Sequence, residues 1–353
     1  MATFAKSLTF NEIFDLIRLG GNSVTFMVQG EPGIGKTSLG KALAQKLGYH
    51  FAYMDIANMS LGDLMMPVTN HDLKSTEFYP NEIFGLHEGK PVVVMMDEWT
   101  KGSREVKNMT LPLALERRIG CVKLHPDSIV FATGNLTGDG VGDSIQAHQM
   151  DRFVMVEMKK PDSEKWINEF AIQRDVDPTV IAFANEFPQV FQSYKDDPQN
   201  ENGYIFNPRS NSGVFCSPRS LEFASHIVKC KEHVTPDALH AALAGAIGPS
   251  AAAELVSFVS LSEELPPLAS IVADPKKCAL PQKPVTRLLL VFNLIMRAEK
   301  DNLTAIITYI RRMENEMQGI FVNKILKTPS KAAWAHMNKA LEDLCLEKNY
   351  LFG

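Results

Sequence analysis

The chain has 353 residues, of which 45% are apolar and 22% charged, and its formal net charge is -5. This length allows two domains, or one with a long extension, and an ordinary composition supplies a core. The acidic balance argues against broad binding of a phosphate backbone, and five scattered cysteines (Cys121, Cys216, Cys230, Cys278, Cys345) with no CxxC pair argue against a disulfide framework.

The opening residues, "MATFAKSLTFNEIFD", lack the apolar core of a signal peptide, so a cytoplasmic protein is expected. β-rich runs are predicted at 24–28, 50–55, 92–97, 128–133 and 153–158, with helical runs at 37–47, 81–88 and 104–118 between them. Such alternation makes an α/β fold, a parallel sheet with helices on both faces. Ligands bind such sheets at the carboxyl ends of the strands. After Lys160 the strand signals nearly vanish. "PDSEKWINEFAIQR" and "DPTVIAFANEF" read as amphipathic helices, 192–213 as a polar loop, and helices resume at Ser217 and pass Phe258. A second break at 265–284 holds five prolines. The longest apolar run, "LLLVFNLIM", is too short to span a bilayer and reads as a buried helix. Leu303, Ile306, Ile307, Ile310, Met313, Met317, Ile320, Phe321 and Ile325 fall at helical spacing. A helix packed on its own domain is the plainer reading of that stripe, and a partner-binding face the other. No internal repeat is evident.

The stretch "VQGEPGIGKTSLGKALAQKLG" carries the first functional signal. Gly30, Glu31, Pro32, Gly33, Ile34, Gly35, Lys36 and Thr37 fit GxxxxGK[ST], with an apolar run before and a helical run from Ser38 after. Glycines let consecutive backbone N–H groups face phosphate oxygens without Cβ clashes. Lys36 adds a charge for the β and γ phosphates, Thr37 a hydroxyl for Mg2+, and the helix a positive end. ATP and Mg2+ are therefore the expected ligands of residues 30–38.

"PVVVMMDEWT" ends an apolar strand in Asp97-Glu98. Asp97 can hold Mg2+ through water, and Glu98 can polarise the attacking water. In "SIVFATGNLTG", Asn135 follows the next strand, where it is either a turn former or a residue that positions that water. "AHQMDRF" sets Arg152 before the fifth strand, as a surface ion pair with Asp151 or as an arginine finger for a neighbour's γ-phosphate. In "FCSPRSLEFA", Ser217 reads as an N-cap and Pro218 as a first-turn proline. Arg219 then sits where the helix dipole disfavours a cation, so it needs an anion: a protein carboxylate or a γ-phosphate.

Taken together, "GEPGIGKTS", "MMDEW", "ATGN", "MDRF" and "SPRS" resemble the AAA+ ATPases of the MoxR group, over roughly residues 10–258. The resemblance implies a sheet with strand order 5-1-4-3-2. It implies an AAA+ nucleotide-binding domain at 1–160, a helical lid domain at 161–272 and a helical C-terminal extension at 273–353. Asn135 matches sensor 1, Arg152 the arginine finger and Arg219 sensor 2; "LPLALERRIG" resembles the helix end before the sensor strand. The chain departs from the group at Trp99-Thr100-Lys101, where Asn-Arg is usual after the Walker B glutamate, and at Leu136, where proline is usual. Arg117 and Arg118 stay rival fingers, with a plain pair of cations at a helix C-terminus as the alternative. The group implies a ring, usually a hexamer, with a chaperone-like action on proteins. A partner with a von Willebrand factor A domain is implied by resemblance alone.

No HExxH, paired CxxC or GxSxG motif points to other chemistry, and His87 and His148 read as ordinary residues. A nucleic-acid translocase on the same engine is the second reading; the acidic charge and the lack of basic–aromatic interleaving count against it. A nucleotide-gated scaffold with little turnover is the third, and the intact Glu98 and Asn135 count against that.

Overall fold

A computed structural model describes residues 6–136, 147–196, 202–208 and 213–348. The polar loop expected at 192–213 lies partly outside these residues, as do Thr137 and Gly138, the side chain of His148 and the last five residues of the tail. The chain forms two compact units, Met1–Pro161 with Asn207–Asn211, and Asp162–Phe206 with Ser212–Gly353.

The first unit opens with α1 (Phe10–Gly20), started by a capping box in which Thr9 and Glu12 bond each other's backbone N–H. Then follow β1 (Phe26–Gln29), α2 (Lys36–Leu47), β2 (His50–Asp55), α3 (Leu61–Leu64), β3 (Met65–Asn70), β4 (Ser75–Pro80), β5 (Val92–Asp97), α4 (Arg104–Leu115), β6 (Arg118–Ile119), β7 (Val122–Lys123), β8 (Ile129–Gly134), α5 (Ala147–Met150) and β9 (Val154–Glu157). Five strands make one parallel sheet in the order β2-β5-β8-β1-β9. Counting those five in chain order and reading from the β9 edge, this is the expected 5-1-4-3-2.

Strand alternation splits the apolar side chains between two cores. Met27, Val94, Met96, Val130 and Ala132 share one with Leu111 and Leu113 of α4. Phe26, Val28, Val93, Met95 and Phe131 share the other with Ile13 and Ile17 of α1 and Leu39 and Leu43 of α2. Helices therefore cover both faces.

Three expectations change in detail. The helix at 81–88 is two 3-10 turns, Glu82–Phe84 and Leu86–Glu88, because Gly85 adopts a left-handed φ of 63° between them. The helix at 104–118 stops at Leu115, and Arg117, with φ 53°, turns the chain into the β6–β7 hairpin. The antiparallel β3–β4 hairpin was not expected.

The second unit is helical: α6 (Ser163–Lys165), α7 (Pro178–Glu186), α8 (Pro218–Lys229), α9 (Pro236–Ile247), α10 (Pro249–Ser262), α11 (Leu268–Ala273), α12 (Pro284–Arg297), α13 (Leu303–Ile310), α14 (Asn315–Lys327), α15 (Pro329–Ala335) and α16 (Lys339–Glu347). The expected "PDSEKWINEFAIQR" helix continues after α6 as a π-helical stretch, Trp166–Ala171. The long apolar stripe is broken between α13 and α14. Its Leu303, Ile306, Ile307, Ile310, Phe321 and Ile325 are fully buried in the unit's own core, which accounts for it without a partner. "LLLVFNLIM" is buried in α12, and among the described residues no helix is long and apolar enough to cross a membrane.

Candidate active site

The loop between β1 and α2 takes the backbone form that an anion cradle requires. Gly33 and Gly35 have φ of 75° and 102°, which side chains resist. Gly30 is fixed by crowding instead: a Cβ there would meet Ile34 Cδ1 at 2.6 Å and the Met158 carbonyl at 3.0 Å. Ser38 N donates to the Gly35 carbonyl at 3.0 Å as the helix begins. The 12 residues of α2 direct a positive end at this loop.

Lys36 is buried and folds back over the loop. Its Nζ donates to the carbonyls of Gly30 (2.7 Å) and Glu31 (2.9 Å) and to Asn135 Oδ1 (3.0 Å). Asn135, just past the end of β8, is also held through its carbonyl by Gln29 Nε2 at 3.3 Å. The residue expected to orient water thus meets the lysine expected to bind phosphate.

Asp97 closes β5, next to β8 in the sheet. Three hydroxyls converge on its carboxylate. Thr37 Oγ1 donates to Oδ2 at 3.2 Å, Tyr53 OH to Oδ2 at 2.9 Å, and Thr133 Oγ1 to Oδ1. Partial burial, then the Asp97 charge, push the Tyr53 phenol well above its ordinary pKa. Thr37 and Asp97 form a hard oxygen pair of the kind Mg2+ takes, beside a buried ammonium that suits phosphate, so the donor set fits Mg-ATP.

Glu98 follows in a left-handed conformation, φ 48°, uncommon for a residue with a side chain. Its N–H donates to Thr133 Oγ1 at 3.1 Å, and its Oε2 accepts from Lys101 Nζ at 2.7 Å. Trp99 anchors this turn, fully buried, with Nε1 donating to Thr110 Oγ1 at 3.1 Å and its ring 5.0 Å from that of Phe153.

Among the described residues, the arginines of the first unit form no ion pair with this cluster. Arg152 lies half-buried in the turn before β9, at the sheet edge, and among the described residues it forms no ion pair with Asp151. Arg117 has both terminal nitrogens buried with no hydrogen-bond partner among the described residues, and burial lowers its pKa. That inward position does not suit a finger reaching another subunit. Arg118 pairs locally with Glu116 at 2.6 Å. In the second unit Ser217 caps α8, its Oγ accepting from Ser220 N at 3.1 Å, and Pro218 opens the first turn. Arg219 beside it is exposed, and among the described residues no carboxylate pairs with it.

Residues 26–138 match the family described as "ATPase family associated with various cellular activities (AAA)". Over that segment the chain is similar to the AAA ATPases. The matched segment runs from β1 through the loop before α2, Asp97-Glu98 and Asn135, so it contains the whole cluster around Lys36 and Asp97. No curated protein matches the sequence. Two solved structures are similar at low identity. One, a candidate ATPase from Cytophaga hutchinsonii, is 16% identical, covers 71% of this chain and 87% of its own, and has a TM-score of 0.31. The other, a point mutant of RuvB from Thermotoga maritima, is 14% identical, covers 76% and 74%, and has a TM-score of 0.37.

Sequence reasoning missed Tyr53, Thr133, Gln29 and Lys101. Thr133 had a signal, since it sits two residues before Asn135 at the end of the same strand. Tyr53 had none, because an exposed tyrosine on a strand reads as surface.

Proposed function

We propose that this chain hydrolyses ATP with Mg2+ and works as a MoxR-like ring ATPase whose turnover remodels or activates a partner protein. The observation that carries the reading is the meeting of Lys36, Thr37, Asp97 and Asn135, drawn from three separate segments to the carboxyl ends of adjacent parallel strands. Lys36 exchanges its loop carbonyls for β and γ phosphate oxygens. Thr37 Oγ1 and Asp97 would hold the metal. Mg2+, when bound, neutralises phosphate charge and orients the γ-phosphoryl group for in-line attack. Glu98 accepts a proton from the attacking water as its oxygen bonds to the γ phosphorus and ADP leaves. Asn135 orients that water.

Arg152 acts on a neighbour's nucleotide and Arg219 on its own. The ring, usually of six subunits in the group it resembles, follows from that division of labour. The partner is a protein, and one with a von Willebrand factor A domain fits the resemblance. The measurement is Mg2+-dependent ATPase rate against protein concentration, for wild type and Arg152→Ala. Specific activity that rises with concentration, and is lost in the variant, supports a site completed by a neighbour. Activity indifferent to both, from a protein that stays monomeric in ATP, sinks the ring.

A further inference from the structure

Asp97 Oδ2 receives two hydroxyls of different origin. Thr37 belongs to the phosphate loop and its helix, and its Oγ1 lies 3.2 Å away. Tyr53 belongs to β2, whose register sets Tyr53 beside Met95 and Asp55 beside Asp97. Its OH reaches Oδ2 at the shorter distance of 2.9 Å. Thr133 of β8 takes the other oxygen. The carboxylate plane is therefore fixed from both neighbouring strands. The Tyr53 ring contributes little burial: the residue is 39% exposed and its ring lies 6.0 Å from that of Phe51. An exposed tyrosine whose one strong contact is the buried Asp97 carboxylate is better explained by that contact than by packing.

We propose that Tyr53 is a positioning residue for the metal arm of the nucleotide site, holding Asp97 Oδ2 toward Thr37 Oγ1 so that the two can share one divalent cation. The proposal rests on the Mg-ATPase reading above. Asp97 is terminal on its strand, and its carboxylate turns freely about its last bond unless donors hold it. Thr37 Oγ1 can take the cation on a lone pair while its hydrogen still faces Oδ2, but it moves with the phosphate loop and its helix. Tyr53, on β2, is a second donor to the same oxygen that does not itself meet the cation, and it keeps that oxygen in place while metal and nucleotide exchange. Partners that orient a metal-holding carboxylate typically carry a 10- to 100-fold share of metal affinity.

The test is Tyr53→Phe in the full chain, which keeps the ring and removes one hydroxyl. Mn2+ serves as a spectroscopic stand-in for Mg2+, since both take oxygen ligands. Mn2+ binding to the protein–ADP complex is followed by electron paramagnetic resonance, and binding of a fluorescent ADP analogue is measured separately in EDTA. The expected result is Mn2+ affinity lower by about 10- to 100-fold, with metal-free nucleotide affinity unchanged. Mn2+ affinity within about twofold of wild type would overturn the proposal, being far below that share. So would a parallel loss of nucleotide affinity in EDTA, which would make Tyr53 a support of the loop. Wild-type protein that binds no nucleotide at all would overturn the ATPase reading itself, and the proposal with it.

Discussion

Glu98, the proposed base, is restrained twice. Its backbone is left-handed, and its carboxylate is paired with Lys101. The pair is partly exposed, with side-chain accessibilities of 27% and 38%, so it is worth at most about 1 kcal/mol. Lys101→Met is expected to raise the basal ATPase rate, by at most about fivefold from that energy. A steady-state assay at saturating Mg-ATP checks this, and a fall in rate would mean that Lys101 aids turnover. Lys36→Ala should abolish nucleotide binding in a fluorescence titration, because the ammonium that meets phosphate is gone. Lys101 also marks where the chain leaves the usual Asn-Arg of the group it resembles, so its restraint of Glu98 belongs to this sequence.

At the scale of elements, α2 is held against the sheet by the absence of a side chain. A Cβ at Gly40 would meet Phe51 Cε2 at 2.5 Å and Met95 Sδ at 3.0 Å. Gly40→Val is expected to destabilise the protein by about 1–3 kcal/mol, the usual cost of overpacking, in a denaturant titration. It should also weaken nucleotide binding, since α2 begins at Lys36. In the second unit, Lys324 of α14 is buried, and burial holds its ammonium below the ordinary lysine range. Between that lowered value and the ordinary one near 10.4, the unfolded chain holds a proton that the folded chain has lost. Stability therefore rises with pH through that window. The thermal midpoint of wild type, taken relative to Lys324→Met, is expected to climb as pH rises toward the ordinary lysine value near 10.4; a flat difference would remove the buried charge as its cause.

The elements legible in the sequence were those whose pattern the sheet enforces. β5 and β8 are apolar up to their carboxyl ends because both faces are covered, and the glycine loop announces itself by composition. The β3–β4 hairpin was not legible, since its strands carry exposed Met66, Val68, Phe78 and Tyr79 in no alternating pattern. The break between α13 and α14 was hidden for the opposite reason: Met313 and Met317 keep the helical spacing across it. In the site, charged and glycine residues were legible because they are rare at strand ends. The hydroxyls that orient Asp97 were not, because a Thr or Tyr on a strand is ordinary and only the sheet register brings it to the carboxylate.

For the whole molecule, the first unit holds the Lys36–Asp97 cluster, and the helical unit holds Arg219 and most of the remaining apolar core. Arg152 at the sheet edge, with no carboxylate pairing it among the described residues, is the feature that makes the proposed engine shared between subunits. Arginine fingers in nucleotide hydrolases contribute about 10³- to 10⁵-fold in rate, so Arg152→Ala should fall by orders of magnitude while still binding nucleotide. The most direct test of ATP hydrolysis at the Lys36–Asp97 cluster is Mg2+-dependent phosphate release by wild type and Glu98→Gln, with nucleotide binding measured on the same samples. Turnover by wild type, its near-complete loss in Glu98→Gln and equal nucleotide affinity in the two are expected. Hydrolysis by Glu98→Gln at the wild-type rate would contradict the role given to Glu98, and a wild type that neither binds nor hydrolyses ATP would contradict the site.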